Sequence, residues 1–151
     1  MTDGSPGRVR KPQRFSYRKP GPALRGKREV VRLCQIPTLQ GSVQVVRRGG
    51  EEHLHSHASV DGFWMVLSGR VAFHGDEDVR YGELGPGEGM LIPRGNRYRF
   101  EAVGEGDAEI IQVLHIDGTA GFQREDHEAA RVDSDDIHVI VDGRRVPALR
   151  E

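Results

Sequence analysis

The chain has 151 residues, of which 36% are apolar and 30% charged, and its formal net charge is −1. This length predicts one domain with a small core. No apolar run is long enough to span a bilayer, and the first residues lack the apolar segment of a signal peptide. Cys34 is the single cysteine and can form no internal disulfide, so we expect a cytoplasmic protein.

The charge is distributed unevenly. Residues 1–28 contain nine Lys/Arg and one acid, a net charge of +8, whereas residues 29–151 contain 13 Lys/Arg and 22 acids, a net charge of −9. A basic arm can bind nucleic acid or a membrane surface. This arm has no base-reading motif, and its four prolines predict an extended path. We therefore expect it to lie over the acidic body or over a partner subunit, without a nucleic-acid ligand.

After the arm, short apolar or alternating runs are each closed by glycine or proline. They predict strands at 30–36, 43–48, 52–57, 62–67, 69–74, 78–81, 89–92, 97–102 and 108–116. Residues 74–78 and 104–107 have the composition of hairpin turns. Many short strands at regular spacing predict an all-β sandwich or barrel.

The C-terminal end has a different pattern. Residues 123–131 (QREDHEAAR) predict one short helix, and residues 137–146 (IHVIVDGRRV) predict a strand with an Asp-Gly turn. This last strand could add to a sheet edge, in the same subunit or in a second one.

Three histidines alternate in the stretch GGEEHLHSH, residues 49–57. On a strand, His53, His55 and His57 would point to the same face. His53 and His57 would lie about 13 Å apart along an extended strand, so at most two of the three can share a metal ion. We expect His55 and His57 to be that pair, because two imidazoles at i and i+2 can reach one cation.

The residues around this pair resemble the cupin family over about residues 43–116. The first cupin motif reads G-x5-H-x-H-x3,4-E-x6-G, which Gly49, His55, His57 and Gly69 fit. The second reads G-x5-P-x-G-x2-H-x3-N, which Gly87, Pro93 and Gly95 fit. The resemblance implies an all-β double-stranded β-helix, or jelly roll, with its site in the barrel mouth. It also implies a homodimer with exchanged terminal strands. The expected organisation is arm 1–28, barrel 29–118 and C-terminal extension 119–151.

The chain departs from the motifs at two metal-ligand positions. The family's glutamate falls on Gly62, and its second-motif histidine falls on Tyr98. We expect a divalent metal (Fe, Zn, Mn or Ni) at His55 and His57 with a third ligand. Asp61 could be that ligand through a bulge, and His115 or Tyr98 are alternatives. Alternatively, the histidines only form hydrogen bonds to substrate, water or each other.

The register of the motifs also predicts what lines the barrel. Gly62, Trp64 and Val66 would point inward with the histidines, and Phe63 and Met65 outward. In the second motif, Tyr98 and Phe100 would point inward, while Arg94 at the mouth could pair with a ligand carboxylate. Trp64 would then offer an aromatic wall to a planar or cyclic molecule, unless it only packs in the core.

Three functions remain open at this point. The first is a metal-dependent isomerase, cyclase, lyase or dioxygenase acting on a small metabolite, with His57 and Tyr98 as catalytic residues and Tyr98 as third ligand or general acid. The second is a metal-free protein that binds or senses a small ligand. The third is an interaction scaffold that uses its basic arm.

Overall fold

The computed structural model describes residues 9–147. The strands are β1 (Arg28–Ile36), β2 (Leu39–Val46), β3 (His55–Ser56), β4 (Val60–Ser68), β5 (Val71–His74), β6 (Arg80–Leu84), β7 (Gly89–Ile92), β8 (Arg99–Ala102), β9 (Ala108–Ile116), β10 (Glu125–Asp126), β11 (Ile137–Val141) and β12 (Arg144–Val146). Single 3₁₀ turns lie at Pro22–Leu24, Asp76–Asp78 and Ser134–Asp136. Within these residues no helix is long and apolar enough to cross a membrane.

Two sheets face each other and enclose the core. The larger has the strand order β12-β11-β1-β2-β9-β4-β7, and the smaller has the order β6-β5-β8, while β3 and β10 pair separately. Strands far apart in the sequence are neighbours, as in β2–β9 and β4–β9. This topology confirms the predicted all-β jelly-roll barrel.

Alternation along β4 places one face of the larger sheet in the core. Val60, Gly62, Trp64 and Val66 are buried, whereas Phe63 is 48% exposed. The Trp64 ring meets Phe73 of β5 at 5.6 Å and Phe100 of β8 at 5.1 Å between centroids. These aromatic contacts join the two sheets across the barrel, because successive strand residues point to opposite faces.

The described part of the arm, residues 9–27, contacts the body of its own chain. The Tyr17 hydroxyl donates to Glu109 Oε1 at 2.5 Å, and Lys19 Nζ lies 3.0 Å from Asp107 Oδ2. Gln13 Nε2 donates to the Gln35 carbonyl at 2.9 Å. Basic and polar arm residues thus meet acidic and polar residues on the outside of the larger sheet.

The C-terminal strand adds to β1. Strand β11 pairs with β1 in parallel, from Arg28–Ile137 to Arg32–Val141. A two-residue turn then leads to β12, with Asp142 at φ 51° and Gly143 at φ 76°. The predicted strand and Asp-Gly turn are confirmed. In this structure the strand pairs within its own chain.

The short helix expected over 123–131 does not form. Instead, Glu125 and Asp126 form β10, which pairs antiparallel with β3, and His127 N donates to the Leu54 carbonyl at 2.9 Å. The prediction failed because the segment finds its backbone partners in the barrel. A helix of its own would have supplied only local hydrogen bonds, with little apolar surface to bury.

Candidate functional site

Strand β3 places the histidine pair beside Tyr98. His55 N donates to the Tyr98 carbonyl at 3.1 Å, and Tyr98 N donates to the His55 carbonyl at 2.9 Å. Ring centroids are 4.4 Å apart for His55–Tyr98 and 5.0 Å apart for His55–His57. The exposed fractions are 1% for His55, 5% for His57 and 4% for Tyr98. The structure therefore gathers two imidazoles and one phenol in a buried site.

Both imidazoles have their Nδ1 atoms on backbone carbonyls. His55 Nδ1 lies 2.9 Å from the His53 carbonyl, and His57 Nδ1 lies 2.9 Å from the Gln123 carbonyl. Because a carbonyl oxygen only accepts, each Nδ1 carries the proton. Burial lowers the pKa of His55 to about 4 and also lowers the pKa of His57. Each ring is therefore neutral near pH 7, with a lone pair on Nε2.

The phenol beside them is a proton donor. Burial raises the pKa of Tyr98 well above its ordinary value, and the Glu52 carboxylate adds to this effect. Tyr98 therefore keeps its proton throughout the physiological range. The site combines two proton acceptors with one donor.

A buried ion pair that the sequence did not predict lies on the other side of His55. Glu52 Oε1 is 3.4 Å from His55 Nδ1, and Glu52 Oε2 is 3.9 Å from Arg28 Nη1. The Arg28 guanidinium lies 5.6 Å from the Phe100 ring centroid. Arg28 is the last residue of the predicted arm, whereas β1 begins at this residue in the structure. Extending the strand predicted from residue 30 by two residues would have placed Arg28 on the same face as Val30.

Several polar atoms inside the protein have no hydrogen-bond partner among the described residues. They include Arg28 Nε and Nη1, Ser42 Oγ, Gln44 Oε1, Glu52 Oε1 and Trp64 Nε1. Ser42 and Gln44 share a strand face with Val46, which belongs to the same core cluster as Trp64. Buried polar groups without partners are rare in folded proteins, so this set indicates water or a polar ligand in the barrel.

The glutamate position of the motif is filled by the neighbouring indole. A Cβ atom added at Gly62 would lie 3.0 Å from Trp64 Nε1 and 3.6 Å from Leu114 Cδ2. The volume beside Gly62 is therefore occupied. Trp64 and Phe100 are both 0% exposed, so both rings pack in the core, which is the alternative that the sequence left open for Trp64. Only the unpaired Nε1 edge of Trp64 remains for recognition.

Three predicted site residues gather elsewhere, on the outer face. Asp61 and His115 are paired across β4 and β9, and His115 Nδ1 lies 3.6 Å from Asp61 Oδ2. Arg94 Nη2 donates to Asp61 Oδ2 at 2.9 Å. The His115 side chain is 58% exposed. Without a bulge at Asp61, strand alternation separates this cluster from the histidine pair, and Arg94 binds protein carboxylates there.

These positions decide whether the site fits the metal that the cupin motifs imply. The Nε2 atoms of His55 and His57 are suitable donors, and carbonyl-bound Nδ1 atoms are typical of metal-binding imidazoles. Tyr98 keeps its proton, and Glu52 lies at the Nδ1 edge of His55, so neither completes a set of three ligands. Within residues 9–147 no three His, Cys, Asp or Glu side chains are placed to hold one ion. The donor set does not fit a metal held by three protein ligands.

The C-terminal extension covers the histidine pair. The Phe122 ring lies 4.8 Å from the His57 ring, between centroids. Farther along, the His127 ring nitrogen Nε2 lies 2.7 Å from Ser56 Oγ, and Asp126 Oδ1 lies 2.8 Å from His53 Nε2. The extension therefore contacts His57 itself, as well as His53 and Ser56 on either side of His55.

Comparison with known structures shows the fold alone. A protein with a double-stranded β-helix domain from Klebsiella pneumoniae is 21% identical, with a TM-score of 0.58 over 77% of this chain and 99% of that one. An RmlC-like cupin protein from Desulfovibrio desulfuricans is 20% identical, with a TM-score of 0.50 over 76% and 95%. KdgF from Halomonas sp. is 20% identical, with a TM-score of 0.50 over 59% and 76%.

The sequence comparisons give the family. None of the curated proteins compared with the chain matches it. The cupin domain model matches residues 42–117. This range contains β3, β4 and both motifs, including His55. Because this match extends over half of the chain, the protein belongs to the cupin domain family.

Proposed function

We propose that this cupin binds a small carbonyl- or carboxylate-bearing metabolite in its barrel and catalyses proton transfer on it. The observation that carries the proposal is the set of His55, His57 and Tyr98, in which two neutral imidazoles lie beside a phenol that keeps its proton. A base and an acid of this kind suit proton abstraction beside a carbonyl group. An isomerase is the simplest enzyme of this class.

In the proposed reaction, His57 Nε2 takes a proton from the carbon next to the substrate carbonyl. Tyr98 donates its hydroxyl proton to the carbonyl oxygen as the enol forms. When the deprotonated carbon carries a hydroxyl, the product of this step is an enediol. His57 then gives its proton to the former carbonyl carbon and the other hydroxyl gives its proton to Tyr98, which yields the isomer and restores both residues. His55 lies between them and orients Tyr98 through the backbone bridge. No oxidant or reductant is required.

Recognition of the substrate is assigned to the unpaired polar atoms of the interior. Arg28 supplies two N–H donors for a carboxylate, and charge-assisted hydrogen bonds of this kind are the strong ones. Trp64 Nε1 donates as well, while Gln44 Oε1 and Ser42 Oγ can accept from hydroxyl groups. This mixture favours a small hydroxy or oxo acid over a purely apolar compound.

The test is isotope exchange measured by NMR. The protein is incubated in D₂O with a panel of 2-oxo and 2-hydroxy acids, with and without EDTA. We expect exchange at the carbon beside the carbonyl for one member, unaffected by EDTA. Tyr98→Phe and His57→Gln should each lower the rate by about 10²-fold or more. Tyr81→Phe is the matched control, since that exposed phenol donates to the Arg97 carbonyl.

A metal-free binding or sensing protein is the second candidate. The specific observation in its favour is the extension that covers His57 through Phe122 and Gln123. In the same experiment, tight binding without exchange would identify this function. Exchange that EDTA abolishes and Zn²⁺ restores would instead contradict a metal-free mechanism.

A further inference from the structure

A cleft lies outside the barrel, between the arm and the strands β1 and β11. Its volume is about 690 Å³, within the range of small-molecule sites. Val31, Leu33 and Ile140 line it, and Val31 and Ile140 are direct neighbours across β1 and β11. Arg28 and Val30 of the same strand point to the opposite face of the sheet from Val31, and that face is the barrel interior. The cleft is therefore separate from the histidine site.

The arm side of the cleft is cationic. Arg14, Arg18 and Lys19 line this side. The lining also includes one carboxylate, Asp142, in the turn after β11. Lys19 is paired with Asp107. No carboxylate in the described chain forms an ion pair with Arg14 or Arg18, although the body as a whole is acidic. Two guanidinium groups thus remain available next to an apolar surface.

We infer that this cleft binds an amphipathic organic anion, with a carboxylate or phosphate head at Arg14 and Arg18 and an alkyl or aryl body on Val31, Leu33 and Ile140. Arginine presents several donors in a planar arrangement that matches both kinds of head group. Phe15, which is 53% exposed and also lines the cleft, adds apolar contact area at the edge. An inorganic anion would contact only the arginines, and a neutral alcohol would use only the apolar part of the cleft.

Calorimetric titration of the full chain tests the inference with octanoate and hexyl phosphate, which distinguish the two head groups. Acetate, inorganic phosphate and 1-octanol supply the head or the body alone. We expect one site per chain for octanoate, hexyl phosphate or both, at least tenfold tighter than for these fragments. The double variant Arg14→Glu/Arg18→Glu should weaken this binding at least tenfold. The control Arg48→Glu, which reverses one exposed charge elsewhere, should retain it.

A second measurement locates the ligand. Methyl NMR spectra should show shifts for Val31, Leu33 and Ile140 on addition of the tighter probe, and Tyr98→Phe should leave the affinity unchanged. Equal affinity in the Arg14→Glu/Arg18→Glu variant would overturn the inference. So would the absence of binding by both amphipathic probes, or binding that Tyr98→Phe abolishes, which would assign the ligand to the barrel.

Discussion

At the scale of single residues, Gly62 and Trp64 show how this cupin departs from its motif. The indole Nε1 edge lies where the side chain of a residue at position 62 would begin. Trp64 is also held by rings on three sides, from Phe73, Tyr98 and Phe100. Loss of the glutamate and packing of the indole are therefore linked, because both side chains need the same volume.

We predict that Gly62→Ala destabilises the protein by about 1–2 kcal/mol, as expected for overpacking of a tightly filled core. The added Cβ would lie 3.0 Å from Trp64 Nε1, and the surrounding rings prevent the indole from moving away. Urea denaturation measures the effect. Gly106→Ala is the matched control, since nothing lies within 4 Å of a Cβ at that position. Equal stability of the two variants would contradict the packing argument.

Protonation of the buried histidines predicts a pH dependence of stability. The pKa of His55 falls to about 4 in the folded protein, below the value of about 6.5 in an unfolded chain. As the pH falls from 6.5 to 4, the unfolded state gains a proton that the folded state does not. The free energy of unfolding should therefore fall over this window, by up to about 3 kcal/mol from His55.

Urea denaturation between pH 7 and 4.5 checks this expectation. Carboxylates with a lowered pKa of about 2, such as Asp126 and Glu128, lose most of their contributions below about pH 4.5. Their effect is thus separable from that of the histidines. His55→Gln should show a smaller decrease than the wild type over the same window. A decrease of the same size in both proteins would rule out His55 as its source.

At the scale of elements, the arm is attached through a polar network on the outside of β9. Glu109 accepts from Tyr17 with one carboxylate oxygen and from Ser68 Oγ with the other, each at 2.5 Å. Nearby, the buried Glu29 carboxylate accepts from Arg47, whose Nε also lies 3.2 Å from Asp107. Burial and the contact with Glu109 raise the pKa of Tyr17, so this hydroxyl remains a donor.

Tyr17→Phe should lower the free energy of unfolding by about 1.5–3 kcal/mol, because it removes a hydrogen bond to a charged group. Tyr81→Phe removes a hydrogen bond of an exposed phenol to a carbonyl, with about 0.5–1.5 kcal/mol expected at most. Thermal and urea denaturation compare the two. If Tyr17→Phe had the smaller effect, the arm would contribute little to the stability of the barrel.

At the scale of the whole molecule, the outer face of β4 and β7 carries apolar side chains. Phe63 and Leu91 are direct cross-strand neighbours, and they are 48% and 67% exposed. Exposed apolar patches often mark interfaces. We propose that two chains pair through this face to give the expected homodimer. This arrangement leaves β11 on β1 of its own chain.

The dimer is tested by light scattering coupled to size-exclusion chromatography. We expect a dimer for the wild type and a monomer for Phe63→Glu/Leu91→Glu, because four buried carboxylates would oppose association. Val79→Glu is the control, since Val79 is 57% exposed and follows the turn before β6. A monomeric wild type, or a dimer that survives both substitutions, would exclude this interface.

The sequence by itself determined the barrel and the central pair of the site. Strand alternation and the glycines of the two motifs depend on local geometry, so 89–92 and 108–116 were predicted with the observed bounds. The closeness of His55 and His57 likewise follows from their separation by one residue, with His55 in β3 and His57 directly after it. Local rules of this kind can be read without knowledge of distant residues.

Only the tertiary structure decided what surrounds that pair. Arg28 at the start of β1 lies 3.9 Å from Glu52, which precedes β3. Strand β10 pairs with β3, so Asp126 lies opposite His55 although the two are far apart in the sequence. Asp61 and His115 instead meet on the outer face. The reason is physical: which side chains share the barrel interior depends on pairing between distant strands, and sequence patterns specify the faces of a strand but not its neighbours.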